Sequence, residues 1–121
     1  MIIVDTSVWV DYLRAGGSGV DLLLRRCAVL IHPFVVGELA CWGLPRRSEV
    51  FALMARLPRA DIAEHDEVLS LVEEKRLAGL GIGWVDAHLL ASAMLSDAGV
   101  WTRDGGMARA ALRLGVFVSG P

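Results

Sequence analysis

The sequence has two cysteines and no long apolar run, and both shortages narrow the class of protein. Cys27 and Cys41 lack the spacing of a metal knuckle, so we predict two buried, reduced thiols. No stretch reaches the length needed to span a bilayer, and Asp5 and Asp11 interrupt the start, where a secretory leader needs basic residues followed by an apolar segment. We therefore expect a cytoplasmic protein with one domain over residues 1–121.

Neither charge sign dominates the composition. The sequence contains 12 Lys and Arg residues and 14 Asp and Glu residues, so the formal charge is -2 and gives no net attraction to nucleic acid. A polyanionic substrate would have to be attracted by local arginines and a bound cation. The hydrophobic fraction of 55% predicts a large core or a partner interface. The glycine-rich segment 15–19 lacks the Lys-Ser/Thr ending of a phosphate-binding loop and is interpreted as a flexible connection.

Short apolar runs alternate with helical patterns along the chain. Such β-α repeats build parallel sheets covered by helices. We predict an α/β fold: a three-layer α/β/α sandwich around a mainly parallel sheet of four to five strands. The predicted strands are 1–4, 28–31, 100–102, 116–118 and an edge strand at 59–63, and the predicted helices are 7–14, 20–26, 34–43, 48–57, 65–78, 84–97 and 107–114.

Four acidic residues occupy positions that predict one shared site. Asp5 and Asp104 follow predicted strands, at the sheet edge where open α/β folds bind ligands. Glu38 lies among apolar side chains of a helix, where an unpaired carboxylate costs several kcal/mol; the alternative is that it points to solvent. Asp86 begins a long apolar helix and could be only its cap. Clustered carboxylates repel one another, and a hard cation such as Mg²⁺ removes that repulsion, whereas zinc would need thiolates or imidazoles.

In their local sequence, these acids resemble the motifs of PIN-domain ribonucleases and, more narrowly, of the VapC-type toxins of toxin–antitoxin operons. The resemblance implies a Mg²⁺- or Mn²⁺-dependent endoribonuclease that is often a homodimer and is inhibited by a small antitoxin. One difference follows Asp104, where Gly105-Gly106 replaces the basic residues or further acid of many relatives. The matching motifs, in order between Met1 and about Phe117, are Ile-Ile-Val-Asp5-Thr6-Ser7-Val-Trp, Val-Val-Gly-Glu38-Leu, Ile-Gly-Trp-Val-Asp86-Ala-His-Leu-Leu-Ala and Trp-Thr102-Arg-Asp104.

We expect metal-assisted phosphodiester hydrolysis at this site. Asp5 and Asp86 would contact the metal directly, while Glu38 and Asp104 would hold its waters or a second cation. Hydroxyl residues would orient the carboxylates or, alternatively, cap helices and turns; they are Thr6, Ser7 and Thr102. Arginines near the flanking loops are the expected phosphate contacts; they are Arg14, Arg46, Arg47 and Arg103.

The three histidines pair with no plausible nucleophile, so we assign His32, His65 and His88 structural or surface roles. Large aromatic residues are expected mainly in the core, and an apolar groove is expected to receive an amphipathic antitoxin helix. The aromatic residues concerned are Trp9, Tyr12, Phe34, Trp42 and Phe51.

Two other functions of the same α/β class stay open. A phosphoacceptor module would also use an acidic site, but the sequence lacks paired acids at the first strand and a late strand-end lysine. A non-catalytic binding module would use the acids only to hold a metal or a partner. Cleavage of RNA in response to Mg²⁺ or Mn²⁺ distinguishes a nuclease from both.

Overall fold

Three short parallel strands form the sheet, and the first of them lies in the middle. The computed structural model describes residues 1–17 and 19–121, so Ser18 of the predicted flexible connection lies outside the described residues. Strand β1 (Ile2–Val4) lies between β2 (Val29–Leu30) and β3 (Gly99–Trp101). Its central Ile3 is paired in register with both neighbours. Because all pairs are parallel, the carboxyl ends of the three strands meet at one edge.

The α/β class with a parallel sheet is confirmed, but the prediction of four to five strands is wrong for the described residues. Segments 59–63 and 116–118 join the sheet only through isolated parallel bridges, Ile31 with Arg59 and Val100 with Phe117. Each bridge consists of two backbone hydrogen bonds around one residue, Ile31 or Val100. Beyond Ile31 the pairing cannot continue, because Pro33 has no N–H and already begins a helix.

All seven predicted helices are present. Two of them, α3 and α5, end three and four residues earlier than predicted. The α5 helix stops because Arg76 takes a left-handed conformation (φ 53°) and the Leu77 N–H donates to the Val72 carbonyl, which closes the last turn. The bounds are α1 Thr6–Ala15, α2 Val20–Arg25, α3 Pro33–Ala40, α4 Arg47–Arg56, α5 His65–Glu74, α6 Trp84–Leu95 and α7 Gly105–Leu114.

Both cysteines are free and exposed, so the prediction of buried thiols is wrong. Cys27 takes the left-handed conformation (φ 53°) that closes α2, and the next N–H donates back to the Leu23 carbonyl. Cys41 is the C-cap residue of α3. Each thiol therefore lies at a helix end, where the chain turns away from the core.

The core lies between the sheet and the helices. Helix α6 packs against β1 and β3, and α1 packs against α2 and α3. The predicted three-layer order of these elements stays a prediction. No described helix is both long and apolar enough to cross a bilayer. The largest fully buried side chains include Trp9, Ile3, Leu39, Leu77, Leu89, Leu90 and Met107.

Candidate active site

One cavity at the carboxyl edge of the sheet receives all four predicted acids. It has a volume of about 470 Å³, and we call it the carboxylate cavity. The chain adds β2 on one side of β1 and later adds β3 on the other side, so the order in which the strands are laid down reverses at β1. Such a reversal leaves a crevice at the strand ends. The lining residues are Asp5, Thr6, Ser7, Val10, Asp11, Glu38, Trp42, Asp86, Arg103 and Asp104.

Asp5 is the most firmly held of the acids. It is only 6% exposed. Its Oδ1 accepts from the N–H of Thr6 at 2.8 Å, and its Oδ2 accepts from the hydroxyls of Ser7 at 3.2 Å and Thr102 at 2.7 Å. Asp5 is therefore the N-cap of α1, and the alternative that Thr6 or Ser7 caps this helix is wrong. Asp5 takes this place because its extended backbone continues β1 directly into the helix.

The same hydroxyls connect Asp5 to the segment that follows β3. The Thr102 Oγ1 accepts from the Asp104 N–H at 3.0 Å, and the Ser7 Oγ accepts from the Arg103 N–H at 3.1 Å. Asp104 in turn caps α7, since its Oδ2 accepts from the Met107 N–H at 2.8 Å. Residues 102–104 are thus fixed relative to Asp5 by two hydroxyl bridges.

Glu38 reaches the cavity from α3. The Thr6 hydroxyl donates to its Oε1 at 2.7 Å, and the side chain is half-buried. The alternative that Glu38 points away into solvent is therefore wrong. Its carboxylate is stabilised by a specific donor at the wall of the cavity rather than left unpaired among apolar groups.

Asp86 is the acid whose pKa is raised by its surroundings in the cavity. Burial raises the pKa of Asp86, and the charges of Asp5, Asp104 and Glu38 raise it further, while a hydrogen bond from the Gly83 N–H (3.3 Å) opposes them. Asp86 thus has the capping contact that the sequence left open as an alternative. The negative charges of the other three predicted acids also act on its carboxylate.

Comparison with known proteins identifies the family. The family model of the PIN domain matches residues 2–112. The chain belongs to the PIN-domain family.

Within that family it is of the VapC type. Ribonuclease VapC32 of Mycobacterium tuberculosis, from strains CDC 1551 / Oshkosh and ATCC 25618 / H37Rv, is 44% identical over 120 residues, covering 98% of this chain and 97% of the relative. The crystal structure of FitAcB from Neisseria gonorrhoeae has the same fold. Its TM-score is 0.63 at 24% identity, over 92% of this chain and 93% of that one.

The donor set of this PIN domain suits a hard divalent cation. Among residues 1–17 and 19–121, no three or more His, Cys, Asp or Glu side chains lie close enough together to hold a metal ion in their present positions. Mg²⁺ requires less than that, because it is usually bound by one or two carboxylates and keeps several waters. The mutual repulsion that contributes to the raised pKa of Asp86 is the kind of energy that a bound cation relieves.

The sequence interpretation missed three residues that line this cavity, Val10, Asp11 and Trp42. Asp11 lines it and forms an ion pair with Arg103, with 3.1 Å between Oδ2 and Nε. Its position four residues after Ser7 on α1 would have placed both on one helix face. Trp42 was assigned to the core but is 40% exposed and lines the cavity. It follows Glu38 by four residues, so the same spacing argument applies.

The four predicted phosphate contacts occupy different surfaces of the PIN domain. Arg103 lines the carboxylate cavity. The Arg14 guanidinium lies 4.8 Å above the centre of the Trp42 ring, at the edge of this cavity. Arg47 donates to the carbonyls of Ala40 and Trp42 and so closes the end of α3. Arg46 lines a separate cavity of about 420 Å³ between α1 and α4.

The three histidines lie in one row of aromatic rings, and none of them lines the carboxylate cavity. His32 contacts Phe34, which contacts His88; His88 contacts Trp84, which contacts His65, all with ring centres 4.8 to 5.1 Å apart. The His32 Nδ1 accepts from the Phe34 N–H and caps α3, which is a structural role. Burial, with a smaller contribution from His88, lowers the pKa of His32 to about 4, so the ring is neutral. Phe34 is 38% exposed, so its assignment to the core is also wrong.

Proposed function

We propose that this PIN-domain protein is an endoribonuclease that hydrolyses RNA phosphodiester bonds with the help of Mg²⁺ or Mn²⁺. One observation carries the proposal: four carboxylates from separate parts of the chain line one cavity. The 44% identity to Ribonuclease VapC32 over nearly the whole chain supports the same reaction class. The cavity opens to solvent at the sheet edge, where an RNA backbone can enter it.

We assign the acids distinct roles in this reaction. Asp5 and Asp86 would hold the cation directly, and Glu38 and Asp104 would hold its waters or a second cation. A divalent cation bound at such a site polarises a phosphate oxygen and lowers the pKa of water. Asp86 must lose its proton before it can bind a cation, and its raised pKa therefore makes cation affinity fall as the pH is lowered.

Hydroxyl groups hold the carboxylates in place for this task. Thr102 and Ser7 donate to Asp5, and Thr6 donates to Glu38. These bonds leave each carboxylate less free to rotate, so less order has to be imposed when a cation and a phosphate arrive. We propose Arg103 as the phosphate contact nearest the acids, released from Asp11 when RNA binds, with Arg14, Arg46 and Arg47 as contacts farther along the RNA backbone.

We further propose that the protein is the toxin of a type II toxin–antitoxin pair, as its resemblance to VapC-type toxins implies. The groove between α1 and α4 supports an amphipathic antitoxin helix as its occupant. Tyr12, Leu13, Val50 and Leu53 supply its apolar wall, and Arg46 and Glu49 its charged rim.

The remaining proposals concern assembly and location. A homodimer is supported by exposed apolar side chains on α5 and α6. They are Leu69, Met94 and Leu95. We also propose a single domain that acts in the cytoplasm, since both thiols are free and the proposed substrate is RNA.

Cleavage of tRNA, rRNA and mRNA by the purified protein, with Mg²⁺, with Mn²⁺ and with a chelator, tests the proposal. We expect cleavage only with a cation, and its loss in Asp5→Asn and Asp86→Asn while the thermal unfolding transition persists. Glu73→Gln is the matched control, because it removes an exposed carboxylate outside the cavity. Retained turnover in either cavity variant would refute the assignment. Stable labelling by acetyl phosphate, or RNA binding with no cleavage under any condition, would favour the two alternative functions.

A further inference from the structure

Trp42 is a large apolar side chain in a wall otherwise made mostly of acids. It lines the carboxylate cavity together with Glu38 and Asp86, yet it is 40% exposed and so contributes little to the core. A single exposed apolar side chain is common on a protein surface, but this one stands in the wall of a cavity, where a ligand would contact it. The residue therefore needs an explanation other than packing.

The position of Trp42 is fixed by its backbone. Its N–H donates to the Leu39 carbonyl at 3.1 Å, which finishes α3, and its own carbonyl accepts from Arg47 at 2.9 Å. The Arg14 guanidinium, at the end of α1, lies 4.8 Å above the ring centre. The indole is thus held at the cavity with a cation against one face, and its remaining exposed surface is available to a ligand.

The charges at the site limit how RNA can be held there. Among the described residues that line the cavity, five are carboxylates and one, Arg103, is a cation; Arg103 is itself paired with Asp11. The formal charge of the chain is -2. Phosphate attraction alone is therefore a poor way to bring RNA to this cavity. Stacking of a base on an aromatic ring does not depend on net charge, and arginine adds to it.

We propose that Trp42, backed by Arg14, is the stacking platform for an unpaired base of the nucleotide next to the cleaved bond. The inference rests on the proposed ribonuclease function and adds a substrate requirement to it. Because a base inside a duplex cannot expose its face to the indole, the platform selects RNA that is single-stranded at this position. Stacking is tolerant of base identity, so the platform selects for unpaired structure rather than for sequence.

Trp84 offers a matched control within the same chain. It is also 40% exposed and also lies near an acid in sequence. Its ring, however, contacts His65 and His88 and lines a different, apolar cavity with Leu69 and Val72. Loss of Trp84 therefore removes the same side chain and the same exposed area without touching the carboxylate cavity.

The test uses a short single-stranded RNA of mixed sequence and the duplex of the same sequence. Single-turnover cleavage at increasing protein concentrations gives the half-saturating concentration and the limiting rate separately. Fluorescence anisotropy in an Asp5→Asn background measures binding without cleavage. Trp42→Ala should raise the half-saturating and dissociation constants about 5- to 150-fold, with a much smaller change in limiting rate. Trp42→Phe should recover most of the affinity, and Trp84→Ala should match the wild type.

An abasic nucleotide beside the cleaved bond provides the decisive comparison. It should weaken binding by the wild type but add little to the effect of Trp42→Ala, because both changes remove the same contact. Equal affinity of wild type and Trp42→Ala, an equal loss in Trp84→Ala, or additive effects of the protein and RNA changes would overturn this inference alone. If the folded wild type neither binds nor cleaves RNA with Mg²⁺ or Mn²⁺, the ribonuclease proposal fails and the platform fails with it.

Discussion

The hydroxyl of Thr6 donates to the Oε1 atom of Glu38 across 2.7 Å and so joins the first turn of α1 to α3. Thr6 also follows Asp5 directly, and its N–H donates to the Asp5 carboxylate. One residue therefore orients two of the four acids, one through its backbone and one through its side chain.

Thr6→Val tests the side-chain half of this arrangement. Valine keeps the shape of threonine and the N–H bond to Asp5 but removes the donor to Glu38. We expect cleavage or cation affinity to fall about 10- to 100-fold, the usual cost of losing a group that orients a ligand. A Mg²⁺ titration of cleavage measures both, and Thr6→Ser, which restores the hydroxyl, should recover most of the loss. Wild-type kinetics in Thr6→Val would contradict the role.

Asp86 should make the fold less stable at neutral pH than a neutral residue would. Its pKa is raised in the folded protein by burial and by its acidic neighbours, so the ionised form costs stability above that pKa. The cost fades as the pH falls and is absent below the ordinary value of 3.8. Urea unfolding should therefore find Asp86→Asn more stable than the wild type near neutral pH and equal to it in acid.

Mg²⁺ gives this experiment its second arm. A cation that binds only the folded state raises the midpoint of thermal unfolding of the wild type, and the rise should shrink or vanish in Asp86→Asn. A wild type that is more stable than the variant at neutral pH without cation would show that repulsion between the carboxylates does not destabilise the fold.

His32 should make stability fall with acid in a defined window. Its pKa is lowered to about 4 in the fold, whereas an unfolded histidine titrates near 6.5, so the unfolded chain binds the extra proton between these values. The neutral ring therefore contributes its full stabilisation above pH 6.5. This contribution, about 3 kcal/mol, is lost as the pH falls from 6.5 to about 4. His32→Asn keeps an N-cap acceptor for α3 but cannot titrate. Its free energy of unfolding should depend less steeply on pH than that of the wild type; equal slopes would contradict the assignment.

Gly105 and Gly106 offer a paired substitution. A Cβ on Gly106 would lie 2.5 Å from the Gly81 carbonyl oxygen, in the loop that leads to Asp86, whereas a Cβ on Gly105 would meet only the flexible Arg109 side chain. Gly106→Ala should destabilise the protein by about 1–3 kcal/mol through overpacking, and should lower cleavage because the loop before Asp86 must move. Gly105→Ala should be neutral or stabilising, since alanine suits a helix. Thermal unfolding and cleavage rates of the two variants test this prediction. If Gly105→Ala and Gly106→Ala have equal stability and equal cleavage rates, the close approach to Gly81 is not the reason for Gly106.

This close approach also explains part of the departure from the family motif after Asp104. Sequence comparison alone presents Gly105-Gly106 as a loss of ligands. The structure shows that Gly106 has a packing reason, the contact of α7 with the 79–83 loop, which two segments distant in sequence create together. No local pattern contains that information.

The acids themselves were predictable because each stands where local sequence is informative. Asp5 and Asp104 follow apolar runs, and Glu38 interrupts an apolar helix face. The number of strands was not predictable in the same way, because an apolar run such as 116–118 does not reveal whether it pairs along its length or at one residue. The exposure of Cys27 and Trp42 depends on where a helix stops, which is set by single backbone conformations and by the hydrogen bond from Arg47 to the Trp42 carbonyl.

The place of β1 in the sheet has a consequence for how the protein is made. Ile2–Val4 leaves the ribosome long before Gly99–Trp101, yet it needs that later strand as its neighbour, and Asp5 needs the hydroxyl of Thr102. A nascent or prematurely terminated polypeptide that lacks these residues cannot assemble the acids. On the proposed ribonuclease function, we therefore expect no cleavage of cellular RNA until the segment through Asp104 has emerged.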